Sequence, residues 1–489
     1  MALTMAAGAA IAVPAQMVFS IASVNPGHPK AAVPGFPGGQ FLNAGAVYRS
    51  HTTNLWIAVP TTDLAASGPT DQVLVIGNGA TFSVVAREGV TEFAPGQFLD
   101  FSTNIPVPRI NDNGQWAVAF KPAANPTGDE RVVKFDGTNF SVVAASNTPS
   151  PHFGNVNWLF GFNSAAITNS GDVTFMGGLN DLTVTKGVFS SNGANILAGL
   201  GSTIPANQAG GGSAVLDQID NGSFGQSADG SRSIFTGRLL GGTKVAVVNG
   251  AVVLQVGVAI TGFTSPVSSI TEVLMESNGD WYARGSNADS QGWVVKKGDI
   301  IARTGAPIFI GASETWSSIS DVKGNNKGDF AILGNVTGAP TALSQAIVLN
   351  GRKLIHRKSD GVDLDGNGVI DDSLYTNNLR SGRCFLGNDG WYYIGSALKA
   401  TPETTTSISG NAAFIRIDAT YCTADLDDGT GSGRIDNAVD INDLLYFLTA
   451  FEAGSPLVDI DDGSGTGTRD NGIDISDLLF FLQRFEAGC

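Results

Sequence analysis

The chain has 489 residues, 63 of them glycine, with only 15% charged residues and a formal net charge of −16. The acidity lies mostly at one end, since residues 422–489 carry −11 and the 421 residues before them only −5. That distribution excludes a nucleic-acid-binding surface, which needs a basic face, while apolar runs rich in Val, Ile, Thr, Phe and Trp point to an all-β body with an acidic appendage.

The first fifteen residues are uncharged and apolar and close on Val13-Pro14-Ala15, a small-residue cleavage pattern. Residues 1–15 therefore read as a secretory signal peptide, and the protein as secreted or held at the cell surface. The stretch is too short to span a bilayer, and no later segment does so. Met17–Val24 follows with a β pattern and no adjacent partner strand.

From there one pattern returns along the chain. It reads Asn111-Asp112-Asn113-Gly114-Gln115-Trp116, Asn169-Ser170-Gly171-Asp172-Val173, Ser227-Ala228-Asp229-Gly230, Ser277-Asn278-Gly279-Asp280-Trp281, Asn325-Asn326-Lys327-Gly328-Asp329-Phe330 and Asn388-Asp389-Gly390-Trp391. A degenerate copy, Thr52-Thr53-Asn54-Leu55-Trp56, precedes them, giving seven units with glycines 49 to 62 residues apart. Asn-x-Gly between apolar alternations is a hairpin signal, because the tight turn needs positive φ. Each unit holds a second hairpin, turning at Asn78-Gly79, Asp136-Gly137, Asn192-Gly193, Asn249-Gly250, Lys297-Gly298 or Asn350-Gly351. Two hairpins make four strands, and seven four-stranded units describe a seven-bladed β-propeller over residues 16–421. The last unit has a third strand at Ala412–Ile417 but no fourth before Cys422. Met17–Val24 is expected to complete it and close the ring, removing an open edge.

The body resembles the bacterial tandem-repeat families marked Asn-x-x-Gly-x-x-x-Phe, with Thr168 to Phe175 showing the frame and Thr168 in place of the Asn. The resemblance implies a fold and a secreted context and no particular chemistry.

Within unit six, Asp363-Leu364-Asp365-Gly366-Asn367-Gly368-Val369-Ile370-Asp371-Asp372 fits a calcium loop. Asp363, Asp365 and Asn367 take positions one, three and five, the Val369 carbonyl seven and Asp371 nine, with Asp372 or water completing the shell.

The last 68 residues repeat at a spacing of 34. Asp425, Asp427, Asp428, Asp436, Asp440 and Asp443 return as Asp459, Asp461, Asp462, Asp470, Asp474 and Asp477. Each acidic, glycine-rich stretch enters an amphipathic helical pattern, Ile441, Leu444, Leu445, Leu448, Phe451 and then Ile475, Leu478, Leu479, Leu482, Phe485. Alternating oxygen ligands, glycines for a sharp turn and a carboxylate on the first helical turn suit calcium, so these twelve acids are the metal-ligand candidates. Asp440 and Asp443 also suit helix capping, and both roles can hold together.

This tail, residues 422–489, resembles the dockerin type that opens Cys-x-Ala-Asp-Leu, here Cys422-Thr423-Ala424-Asp425-Leu426, and ends Gly488-Cys489. The resemblance implies two packed calcium-loop and helix units that dock or retain a secreted protein, with a cohesin-like or cell-envelope protein as partner. The loop differs from the family's twelve residues, since Asp425 to Asp443 spans nineteen. Cys422 and Cys489 bracket the tail and are expected to form a disulfide in an oxidising compartment. Cys384 is left as a buried free thiol in a strand.

No catalytic constellation is legible. His28, His51, His152 and His356 are scattered, and no Gly-x-Ser-x-Gly elbow or phosphate-cradling glycine loop exists. Trp116, Trp281 and Trp391 recur with the units, as blade-packing residues do. The leading expectation is a non-catalytic binding or structural propeller presented through a calcium-dependent tail. The alternative is a polysaccharide-active enzyme, a glycoside hydrolase or lyase, whose mark would be carboxylates or a Tyr/His/Arg set converging on the central funnel. Asp112, Glu276 and Asp389 are the acids placed to do so.

Overall fold

The structure is a computed structural model. It describes residues 14–21, 23–24, 27–65, 71–101, 108–122, 129–150, 154–159, 161–180, 186–192, 196–199, 201–205, 213–404, 406–420, 422–431, 433, 435, 438–470 and 472–488. Seven antiparallel sheets follow one another around a central axis, as the repeat predicts. Blade 1 is Val47–Arg49, Leu55–Ala58, Val73–Asn78 and Thr81–Arg87; blade 2 is Arg109–Ile110, Trp116–Phe120, Arg131–Phe135 and Phe140–Ala145. Blade 3 is Asn163–Ile167, Val173–Gly177, Gly187–Ser190 and Ile196–Gly199; blade 4 is Ser213–Gln226, Ser233–Leu239, Lys244–Val248 and Ala251–Gln255. Blade 5 is Val267–Met275, Trp281–Asn287, Gly292–Lys296 and Asp299–Arg303; blade 6 is Thr315–Gly324, Phe330–Thr337, Gln345–Leu349 and Lys353–Arg357. Blade 7 is Tyr375–Leu386, Trp391–Lys399 and Ser409–Asp418, completed from the other end of the chain.

Middle strands read as unbroken apolar runs because neighbouring blades cover both of their faces. Trp116-Ala117-Val118 and Tyr282-Ala283 are buried in this way, while the first strand of blade 5 alternates between buried and open positions. The outer hairpins turn where expected. Asn249-Gly250, Lys297-Gly298 and Asn350-Gly351 have positive φ at both central residues, the geometry whose twist matches a hairpin.

The strand β1, Ala15–Ser20, completes blade 7. It runs antiparallel to Ser409–Asp418 with Gln16 opposite Arg416 and Ser20 opposite Ala413. Arg416 donates to Gln16 Oε1 at 2.6 and 2.9 Å, and Phe19 packs on Phe414 at 5.4 Å between ring centres. The strand begins earlier than the expected Met17. Ala15, placed at the end of the signal peptide by its small size, is buried and pairs with Val362.

The recurring Asn and Asp residues do more than turn the chain. Asp112 of blade 2 accepts from Thr52 N at 2.7 Å and Thr53 N at 2.9 Å in blade 1, and from Asn169 Nδ2 at 2.7 Å in blade 3. Asn169 N donates to Ala228 O at 2.7 Å, and Ala228 N to Ser277 Oγ at 2.9 Å. Lys296 Nζ reaches Gly328 O at 3.1 Å, Asn326 N reaches Asn388 Oδ1 at 2.9 Å, and Asn388 Nδ2 returns to Thr52 O at 2.8 Å. The circuit joins each blade to the next at one end of the channel.

The tail is two loop-helix units with α1 at Ile441–Glu452 and α2 at Ile475–Ala487. Asp440 and Asp474 cap them in full capping boxes with Asp443 and Asp477. Phe447 stacks on Phe481 at 4.1 Å over a core of Ala424, Leu426, Val458, Ile460 and Phe480. The expected single apolar stripe divides in two. Leu444, Phe447 and Phe451 face this core, whereas Ile441, Leu445 and Leu448 are 58%, 57% and 43% exposed. Ile475, Leu479 and Leu482 repeat that outward face at 61%, 61% and 40%. Arg469 N donates to Lys327 O at 3.1 Å, resting the second loop on the blade 6 turn.

Candidate functional site

The first strands of all seven blades enclose a cavity of about 360 Å³ on the central axis. Its wall carries Tyr48, Arg49, His51, Arg109, Gln226, Glu272, Glu276, Lys323 and Cys384 among apolar residues. Arg49 pairs with Glu276 across the ring. Lys323 Nζ lies 2.6 Å from Glu272 and 2.5 Å from Asp321, and Arg284 Nε lies 2.7 Å from Glu272. Burial alone would lower the lysine's pKa, but Asp321 and Glu272 outweigh it and hold the ammonium well above its usual range. The Arg109 guanidinium stacks 4.0 Å from the centre of the Tyr48 ring.

His51 Nε2 lies 2.8 Å from Ile167 O, and burial lowers the imidazole's pKa. His356 is buried in blade 6 with Nε2 3.1 Å from Thr376 Oγ1. His28 caps a short 3-10 turn, and His152 lies outside the described residues. Cys384 is the expected buried free thiol. Burial first, and then Asp321, push its pKa well up, with Sγ 3.2 Å from Asp321 Oδ2.

Of the three acids singled out from sequence, the structure brings Glu276 alone to the cavity. Asp112 belongs to the turn circuit. Burial would raise its pKa, but the bonds from Asn169, Thr52 and Thr53 prevail and hold it well below the usual carboxylate range. Asp389 accepts from Tyr393 Oη at 2.8 Å. Arg49, Arg109, Glu272 and Lys323 were missed, although each is a charged residue on the first strand of its unit. Both carboxylates lining the cavity are held by cations, so neither stands free as acid, base or nucleophile. Trp116 and Trp281 are buried in the blades, and Trp391 packs beneath Arg416 at 4.1 Å.

In the tail Asp425, Asp427 and Asp443 are buried, as are Asp459, Asp461 and Asp477. Asp427 accepts from Gly429, Gly431 and Gly433 N at 3.0, 2.8 and 2.7 Å, and Asp461 accepts from Gly463, Gly465 and Gly467 at 3.0, 2.9 and 2.8 Å. Asp443 Oδ1 accepts from Leu426 N at 2.5 Å and Asp427 N at 2.8 Å, as Asp477 does from Ile460 and Asp461 at 2.6 and 2.9 Å. Asp428 and Asp462 bond locally to Thr430 and Ser464, and Asp470 lies on the surface with its N–H 3.3 Å from Asp459 Oδ1. Asp436 and Cys489 lie outside the described residues, and Cys422 is disulfide-bonded.

In the 363–372 loop, ligand oxygens of Asp363, Asp365 and Asp372 lie within 4.8 Å of one another. Asp363 is buried and accepts from Gly366 N at 2.6 Å and Gly368 N at 2.8 Å. Asp372 rather than Asp371 turns inward, accepting from Leu364 N at 2.7 Å; Val369 is exposed, and Asn367 bonds to Asp365.

A profile described as "Family of unknown function (DUF7453)" matches residues 61–352, more than half of the chain. The chain belongs to this family. The DUF7453 match runs from within blade 1 to the last turn of blade 6, leaving the closing strand and the tail outside it. No curated protein matches the chain. Among solved structures, the β-propeller domain of the Trilobed protease from Pyrococcus furiosus is similar at 10% identity, covering 63% of this chain and 93% of its own, with a TM-score of 0.33. Chaetomium thermophilum Raptor is similar at 8% identity over 84% of this chain and 29% of its own, with a TM-score of 0.36. An oligogalacturonate lyase in complex with manganese is similar at 10% identity over 77% and 90%, with a TM-score of 0.29.

Proposed function

We propose that this DUF7453 chain is a secreted, non-catalytic binding or structural propeller, presented outside the cell through a calcium-dependent, dockerin-like tail. The observation that carries the reading is the twofold repeat of an uncovered apolar face. Ile441, Leu445 and Leu448 on α1 correspond to Ile475, Leu479 and Leu482 on α2, and all six are substantially exposed. Side chains of that kind, regularly spaced, mark a docking surface rather than scattered surface residues. Its occupant is a cohesin-like or cell-envelope domain offering a matching apolar strip.

The donor set suits calcium. Each unit buries three carboxylates, and among the described residues no lysine or arginine pairs with Asp427, Asp443, Asp461 or Asp477. Backbone N–H groups organise these oxygens without cancelling their charge, so a hard divalent cation fits. Asp425, Asp427 and Asp443 with Asp436 would hold one ion, and Asp459, Asp461 and Asp477 with Asp470 the second. Calcium would supply the charge that lets each loop close on its helix. Asp363, Asp365 and Asp372 would hold a third and stiffen the loop before blade 7. The paired carboxylates of the channel weigh against the hydrolase or lyase alternative.

The test is calorimetric titration of calcium into the chelator-treated full chain, repeated on Asp425→Ala and Asp459→Ala. Loss of one tail site in each variant is expected, with loss of partner capture. Unchanged heats in both variants would remove calcium from the tail.

A further inference from the structure

We infer that the central cavity binds a small organic carboxylate through Arg109. This inference concerns the propeller and does not rest on the role of the tail. It follows from which charges in the cavity are answered and which are not. Arg49 is answered by Glu276, and Lys323 and Arg284 by Glu272 and Asp321. Arg109 is left over. Its contacts among the described residues are the Tyr48 side chain and the Pro108 carbonyl at 3.4 Å, and no carboxylate acts on it. A partly desolvated cation without an anion is costly, and a carboxylate matches the guanidinium fork with two parallel hydrogen bonds.

The cavity volume of about 360 Å³ is at the low end for ligand sites, which suits one sugar-sized molecule. Ile110, Ile167 and Phe224 offer apolar wall to its C–H face.

The experiment is titration calorimetry of the full chain with D-glucuronate, D-glucose and sodium sulfate. Glucuronate should saturate a single site, with glucose, which lacks the charge, and sulfate, which lacks an organic body for the apolar wall, each weaker by about tenfold or more. Arg109→Gln should weaken glucuronate by about tenfold or more, and Arg109→Lys should recover only part of that because the fork is lost. Tyr48→Leu, which removes the ring on which the Arg109 guanidinium rests, should also weaken glucuronate, and it tests the site even if Arg109→Gln does not fold. Absence of glucuronate binding to natively folded protein would overturn the inference, as would glucose binding of equal strength or unchanged affinity in Arg109→Gln. Sulfate binding as tight as glucuronate would overturn the organic-carboxylate class and leave a plain anion site.

Discussion

The propeller and the tail handle buried charge in opposite ways. In the propeller, Arg49–Glu276 and the group of Lys323, Asp321, Glu272 and Arg284 pair side chain with side chain, so the cavity wall is largely neutral without any added ion. In the tail, Asp427, Asp443, Asp461 and Asp477 are organised by backbone N–H groups that carry no full charge. The same residue type is thus self-sufficient in one region and, on our reading, dependent on solution conditions in the other. Sheet geometry explains the contrast: inner strands converging on one axis bring long side chains of opposite sign together within and across blades, whereas a short glycine loop presents mainly its own amides.

Calcium removal should separate the regions most strongly. Chelation is expected to abolish the α1 and α2 circular dichroism signal while the propeller keeps its β spectrum. Raising free calcium to about a hundredfold over Kd should stabilise the tail by about 2.7 kcal/mol for each ion bound. A tail signal indifferent to chelator would break the contrast. Next comes Asp112→Ala, which orphans donors in blades 1 and 3 and should cost the propeller about 3 kcal/mol in urea unfolding, insensitive to calcium. A cost below about 0.5 kcal/mol would mean that the turn circuit does not hold the ring.

Cys422→Ser should destabilise the tail alone by about 3 kcal/mol if its partner is Cys489, the pairing we propose and one that peptide mapping under non-reducing conditions would decide. A smaller effect is expected from Glu88, buried at the edge of blade 1. Burial, aided by a hydrogen bond that the protonated carboxyl donates to Asp100, raises its pKa to about 7. A carboxyl protonated in the folded state but ionised in the unfolded chain contributes stability below the unfolded value of about 4.5, and that contribution fades as pH rises towards about 7. The propeller Tm should fall across that window, and Glu88→Gln should flatten the slope. The smallest stability change, within about 0.5 kcal/mol, is expected for Leu445→Glu with Leu479→Glu, because both side chains are exposed. Partner capture should nevertheless be lost, and its survival would move the docking surface elsewhere.

The repeat, the hairpins, the closing strand and the capped helices were all legible in the chain, because each depends on local backbone chemistry: positive φ at Asn-Gly, apolar alternation, an Asp before a helical run. The outward half of each tail helix was not. Ile441, Leu444, Leu445 and Leu448 look alike as apolar residues, and only the packing of Phe447 on Phe481 decides which of them face solvent. The cavity was equally hidden. Arg49 and Glu276 stand 227 residues apart, and Tyr48, Arg109 and Gln226 meet only because seven first strands converge on one axis. Local rules set the strands, turns and caps from sequence alone. Which charges find a partner and which are left open was decided by ring closure, since electrostatic pairing depends on distance in space and not on separation along the chain.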